Sequence, residues 1–173
     1  IQRIPLLLEE IDKPVVAKIH GAAVGAGLDM ALMCDVRIAG ESASMSESYF
    51  NAGIVPGDGG AYFLPRLVGR DKALDLFWTA RTLKGKEAAD LGLVTHCVPD
   101  EELDTFVENY MKKILEAPQQ AMRLTKRAVL QGEQSTLRAS LDLISSFMGI
   151  VTELDDYRQR TSALVAKMQR KAQ

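Results

Sequence analysis

The sequence predicts an α/β fold over residues 1–100 and a helical region over residues 101–173. Three observations lead there. The β-branched runs Val15–His20 and Val36–Ala39 are too short for helices and read as buried strands. Short segments with helical spacing follow each of them. From Glu101 apolar residues recur at helical spacing almost to the end, interrupted only near Pro118 and Gly132.

Taken in order, residues 1–11 read as the end of an amphipathic helix stopped by Pro14, because a residue before proline is pushed out of helical geometry. That opening, with Ile1 where an initiator Met would stand, leads us to expect further chain upstream. The strand Val15–His20 runs into a turn carrying Gly21, Gly25 and Gly27, and Leu28–Cys34 reads as a short apolar helix. Val36–Ala39 is a second strand, and Ser42–Ser48, small and polar, reads as irregular. Pro56-Gly57-Asp58-Gly59-Gly60 is a turn in which Asp58 is placed to cap a helix running to about Val68. Asp71–Thr79 and Lys86–Leu91 read as helices, the second stopped by Gly92, and Leu93–Val98 as a last strand. In the tail, Leu137, Leu141, Ile144, Met148 and Val151 form one apolar stripe.

Composition narrows the functional classes. A hydrophobic content of 47% is ample for a core, and a net charge of −2 with both signs interspersed offers no stripe for nucleic acid. Two cysteines, Cys34 and Cys97, fit a reducing, cytoplasmic setting without a disulfide framework and show no metal-ligand spacing. No apolar run is long enough for a membrane span, and no leader pattern opens the chain.

The glycine turn carries the chemistry. Glycines allow close approach to the backbone, and the first amides of a helix lack partners and sit at the positive end of its dipole. Asp29, in the first turn of the helix that follows, is an acid or base beside a place for an oxyanion. Gly21-x-x-x-Gly25-x-Gly27 also matches a dinucleotide fingerprint of the short-chain dehydrogenase kind, with Glu41 near a ribose-binding position. The helix is too short for that reading, and no tyrosine is followed four residues later by lysine. Nor does the helical tail alternate with strands as a Rossmann sheet requires. A P-loop lysine and a Gly-x-Ser-x-Gly elbow are both absent.

A larger set of motifs spans the chain: Lys13-Pro14-Val15-Val16-Ala17, His20 through Gly27, Ala31-Leu32-Met33-Cys34-Asp35, Val55 through Gly60, Leu64 through Gly69, and Ala88-x-x-x-Gly92-Leu93-Val94. Together, in this order and spacing, they resemble the enoyl-CoA hydratase/isomerase (crotonase) family. The resemblance implies a crotonase-like spiral of ββα units with a carboxy-terminal helical trimerisation region. It implies action on acyl-CoA thioesters as a homotrimer or dimer of trimers, with no metal and no cofactor beyond the coenzyme A of the substrate. It makes the Ala26 amide one of two oxyanion donors, flanked by Gly25 and Gly27. The other donor belongs to the family's amino-terminal part, outside these residues.

By the same resemblance Asp29 matches one of two catalytic glutamates of the family's hydratases, while the second position holds Tyr49. Glu47, two residues earlier, points to the same face as Tyr49 if that segment is extended and is taken with the substrate-binding residues. Asp58 lies one position beyond the turn aspartate of some family isomerases and dehalogenases, and reads both as a helix cap and as a candidate catalytic carboxylate. Lys167 matches a lysine placed near the CoA phosphate of a neighbouring subunit; a solvated helix-end lysine is the alternative. The expected activity is enoyl-CoA hydratase. Δ3-Δ2 enoyl-CoA isomerase stands beside it because proton shuttling needs only one carboxylate, and a catalytically inactive oligomeric binding subunit is the reading from another class.

Overall fold

The computed structural model describes residues 1–171 and divides into two compact units, Ile1–Lys112 and Lys113 onward. The first unit opens with α1 (Arg3–Glu9), which ends before the expected Ile11. β1 (Val16–Ile19) and β2 (Ala22–Val24) then lead into α2 (Ala26–Leu32). The pattern repeats with β3 (Val36–Gly40), β4 (Ser44–Ser46) and a 3-10 turn, Ser48–Ala52. After α3 (Gly60–Val68) and α4 (Arg70–Thr79) come β5 (Leu83–Lys84), α5 (Gly85–Asp90) and β6 (His96–Val98). A 3-10 turn, Asp100–Glu102, enters α6 (Leu103–Glu116).

Each strand pair contributes to two sheets. One has the order β1-β3-β6, all parallel, and the other the order β2-β4-β5. β2 runs parallel to β4, and β5 closes that sheet antiparallel. Successive strand–strand–helix turns therefore stack on one another, which makes a spiral. The strand Ser44–Ser46 lies where the sequence predicts irregular chain: Ser-Met-Ser has little strand propensity, and pairing with β2 (Ala22↔Ser44, Val24↔Ser46) imposes the conformation. Ala22–Val24 is hidden in the same way inside the glycine turn.

Leu28, Met45, Leu64, Leu83 and Leu93 are almost completely buried in the core between these layers. Two close approaches hold the layers in register. Arg37, on β3 and buried, donates from Nε to the Leu93 carbonyl at 2.8 Å and from a terminal nitrogen to the Cys34 carbonyl at 2.6 Å. Burial lowers the proton affinity of this guanidinium, and the two carbonyls replace its lost hydration. At the start of α5, Gly85 packs so closely that a Cβ would overlap the Gly40 carbonyl and lie 3.0 Å from Cys97 Sγ.

The second unit holds the end of α6 together with α7 (Gln119–Gly132), α8 (Leu137–Thr152) and α9 (Asp155–Lys171). The break at Pro118 is sealed by Gln119, whose side-chain NH2 lies 2.9–3.0 Å from the carbonyls of Ile114, Leu115 and Ala117 and shares its two hydrogens among them. The Thr136 hydroxyl caps α8 by accepting from the Ala139 amide at 3.3 Å. A further break, beyond those read from the sequence, falls at Glu153 and Leu154, where Asp155 and Asp156 favour the start of a new helix. The stripe on α8 is left uncovered: Leu137, Leu141, Ile144 and Met148 are 40–76% exposed.

The Gly85 contact gives a stability prediction. Gly85→Ala is expected to cost about 1–3 kcal/mol through overpacking against backbone that has nowhere to move. A urea unfolding curve checks this as a lower midpoint at unchanged slope.

Candidate active site

The glycine turn after β2 starts the site. Gly25 has φ +52° and ψ −121°, a conformation that side chains resist, and its amide donates to the Ser46 carbonyl at 2.9 Å. Its own carbonyl accepts from the amides of Leu28 and Asp29, both at 2.9 Å, which begins α2. The Ala26 and Gly27 amides are the first of the helix and lie at its exposed end. One turn on, Asp29 is 0% exposed.

Three segments meet at Asp29. The Tyr49 hydroxyl, from the 3-10 turn after β4, donates to Asp29 Oδ2 at 2.7 Å and lies 3.1 Å from Asp58 Oδ2. A phenol has one proton to give, so the two carboxylates compete for it, and the shorter bond favours Asp29. Gly60, the first residue of α3, packs against the other side. A Cβ there would overlap Asp29 Oδ1 and lie 3.0 Å from its Cγ. Glu47, at the end of β4, is 1% exposed. Asp29 Oδ1 and both carboxyl oxygens of Glu47 have no hydrogen-bond partner of ordinary geometry.

Two buried acids and a buried phenol set together cannot all ionise freely. Burial raises the proton affinity of Asp29, opposed by the Tyr49 hydroxyl, the Gly60 amide and Glu47, while the Asp58 charge adds to it. Burial pushes Glu47 up to about 9, helped by the Asp29 charge and a proton-mediated contact with Asp29. Tyr49 is held well above the ordinary phenol range, first by burial and then by its bond to Asp29. The phenol thus stays a donor at any ordinary pH.

Of the residues read from the sequence, the structure brings Asp29, Glu47, Tyr49 and Asp58 together beside the Gly25–Gly27 turn. Two expectations are corrected. Asp58 is not a helix cap: α3 begins after Gly59 with no side-chain cap, and the Asp58 carboxylate turns to Tyr49 instead. The Glu47–Tyr49 segment is not extended but enters a 3-10 turn, and Glu47 faces Asp29. Lys167 lies exposed on α9, in the second unit. Gly60 is the site residue that sequence reading missed; the Gly59-Gly60 doublet opening a helix was its only trace. Among the described residues, no group of three or more His, Cys, Asp or Glu side chains is placed to hold a metal ion. Likewise, no helix among them is long and apolar enough to cross a membrane.

A spiral of strand–strand–helix turns with a glycine-led helix and a first-turn carboxylate defines a class of protein. The chain belongs to the enoyl-CoA hydratase/isomerase family, whose model matches residues 2–171. It is 36% identical to crotonyl-CoA hydratase of Syntrophomonas wolfei over 96% of its length, covering 64% of that protein. It is 32% identical to 1,2-epoxyphenylacetyl-CoA isomerase of Escherichia coli over 92% of its length, covering 61% of that protein. The crystal structure of enoyl-CoA hydratase from Bacillus anthracis superposes with a TM-score of 0.92 at 34% identity, over 96% of this chain and 64% of that one. The fold is therefore the crotonase fold that the motifs lead one to expect, and the chain spans a little over three fifths of the length of these relatives.

The raised proton affinity of Glu47 makes stability depend on pH. The native state keeps this proton where the unfolded chain has lost it. Its contribution is complete below the ordinary value of 4.5 and is lost as pH rises toward about 9. The melting temperature is expected to fall between about pH 5 and about pH 8.5 by less in Glu47→Gln than in the wild type, because glutamine does not titrate. Scanning calorimetry of both proteins at the two pH values checks it.

Proposed function

We propose that the protein is an enoyl-CoA hydratase in which Asp29 and Asp58 serve as the two carboxylates of water addition. The observation that carries this is the pair of contacts at Tyr49 Oη, 2.7 Å to Asp29 and 3.1 Å to Asp58. The tyrosine stands where the resemblance puts a family glutamate, and Asp58, from the next loop, brings a carboxylate to 3.1 Å from its hydroxyl. In hydration one carboxylate takes a proton from water as oxygen bonds to C3, and the other delivers a proton to C2. The enolate formed between those events places negative charge on the thioester oxygen. The Ala26 amide, at the positive end of α2, is the donor that such an oxygen would meet. Burial raises the proton affinity of Asp29, which suits a group that must both give and take a proton.

The relatives named as hydratases support this reading, and proton chemistry of this kind needs no metal or redox cofactor. The reading extends to a homotrimer or dimer of trimers, supported by the uncovered stripe on α8, and to the cytoplasm, supported by Cys34 and Cys97, which form no disulfide with each other. A second reading, Δ3-Δ2 enoyl-CoA isomerase, is favoured by one observation. The Tyr49 hydroxyl occupies the gap between the carboxylates where a hydratase would hold water.

Proton NMR of crotonyl-CoA in D2O separates the two. Hydration is expected to yield 3-hydroxybutyryl-CoA; deuterium entering at C2 or C4 without that product makes the protein an isomerase. Neither signal, with CoA binding retained, makes it an inactive binding subunit. Asp29→Asn is expected to lower turnover by about 10²–10⁴-fold in either active case. Asp58→Asn is expected to lower hydration by a similar factor, about 10²-fold or more, while isotope exchange at C2 persists.

A further inference from the structure

Beside the Asp29–Tyr49–Asp58 line, Glu47 is unexplained. Its side chain is 1% exposed, and neither oxygen has an ordinary hydrogen-bond partner. A buried carboxylate in that condition is costly unless it is protonated or paired. The titratable groups facing this place are Asp29 on α2, Tyr49 on the 3-10 turn and Asp58 before α3. None is a cation. On either side of Glu47 in sequence, Ser46 and Ser48 bond each other at 2.8 Å, and Ser46 donates to the Ala80 carbonyl at 2.9 Å. These neutral groups are already engaged. Among the described residues, Asp29 Oδ1 is the other buried carboxyl oxygen without a partner of ordinary geometry, and its carboxylate is also wholly buried and packed against Gly60.

We propose that Glu47 is a positioning residue that stays protonated and gives its hydrogen bond to Asp29 Oδ1, so that Asp29 remains the ionised member of the pair with Oδ2 turned to Tyr49. The proposal rests on the hydratase reading for its catalytic consequence, but its structural half stands apart from any activity. One proton between the carboxyl groups satisfies a buried oxygen on each and removes the repulsion of two anions. Asp29 then meets Glu47 at Oδ1 and Tyr49 at Oδ2, with the Gly60 amide close by, and these donors fix the plane of the carboxylate that works beside the Ala26 amide. Glu47 keeps its proton throughout the reaction; the proton that moves is one that the ionised Asp29 takes up and then gives back. The high affinity of Glu47 for its proton, up to about 9, agrees with this assignment.

The test has two readouts. In the protein labelled with 13C at the glutamate carboxyl carbon, one resonance is expected to titrate near pH 9, far above the rest. It should vanish in Glu47→Gln and shift in Asp29→Asn. Glutamate resonances that all titrate in the ordinary range overturn the proposal whether or not the protein turns over crotonyl-CoA. The kinetic readout is the pH profile of kcat. Glu47→Gln keeps a donor for Oδ1 and is expected to retain a rate within about tenfold of wild type while losing the alkaline fall. Glu47→Met removes the donor at similar volume and is expected to lower kcat by at least about 10²-fold with KM little changed. Equal loss in both variants overturns the positioning role in favour of direct proton transfer by Glu47, and full activity in Glu47→Met overturns it outright. Absence of any turnover in the wild type counts against the hydratase and isomerase readings, leaving the NMR titration to decide the Glu47–Asp29 hydrogen bond.

Discussion

The site depends on a single phenolic hydroxyl that holds together two carboxylates from different segments. Asp29 is buried in the first turn of α2, where an unsatisfied anion would be severely destabilising. The Tyr49 hydroxyl satisfies one of its oxygens, and the same hydroxyl draws in Asp58 from the loop before α3. These partners come from α2, from the turn after β4 and from the entry to α3. Their meeting depends on the register of β2 against β4, because Gly25 at the end of one strand donates to Ser46 at the end of the other. A slip of one residue would turn Glu47 and Tyr49 away from α2.

Electrostatics decides which of the acids can act. Glu47 and Asp29 compete in the same buried volume, and no cation stands among the groups that perturb either one. Two neighbouring anions there would be mutually repulsive and poorly solvated, so the pair holds a proton. The more deeply perturbed member keeps it. Asp29 has the phenol and the Gly60 amide to stabilise its charge, whereas Glu47 has neither. Close to this acid cluster lies the opposite feature, the amide end of α2 at Ala26. A helix end of positive potential and an acid of raised proton affinity, set side by side, are the two features on which the proposed enolate chemistry rests.

The two units are built differently. The α/β unit has a dense core, with Ile38, Leu64 and Leu93 fully buried. Among the described residues of the helical unit Leu124 is the buried side chain, while α8 carries its apolar stripe on the outside. An amphipathic helix gains most of its stability by burying such a stripe. The helical unit is therefore the part of the molecule with most to gain from a further surface.

The sequence alone determined the strands with β-branched runs, the helices with clear apolar spacing, and the turn that presents Ala26 and Asp29. Each of these is written in local chemistry: stiff side chains, proline stops and glycine turns. It also determined the family, because many weak motifs kept their order. Tertiary structure decided the rest. Ala22–Val24 and Ser44–Ser46 became strands only by pairing with each other, since neither carries the propensity alone. Asp58 looks like a cap in sequence, but its carboxylate turns to the Tyr49 hydroxyl, nine residues back and 3.1 Å away. Gly60 has a role only because Asp29 fills the space its missing side chain leaves. Glu47 is an ordinary acid on paper and a proton-holding one in the fold, because burial and a neighbouring carboxylate are properties of a place and not of a residue.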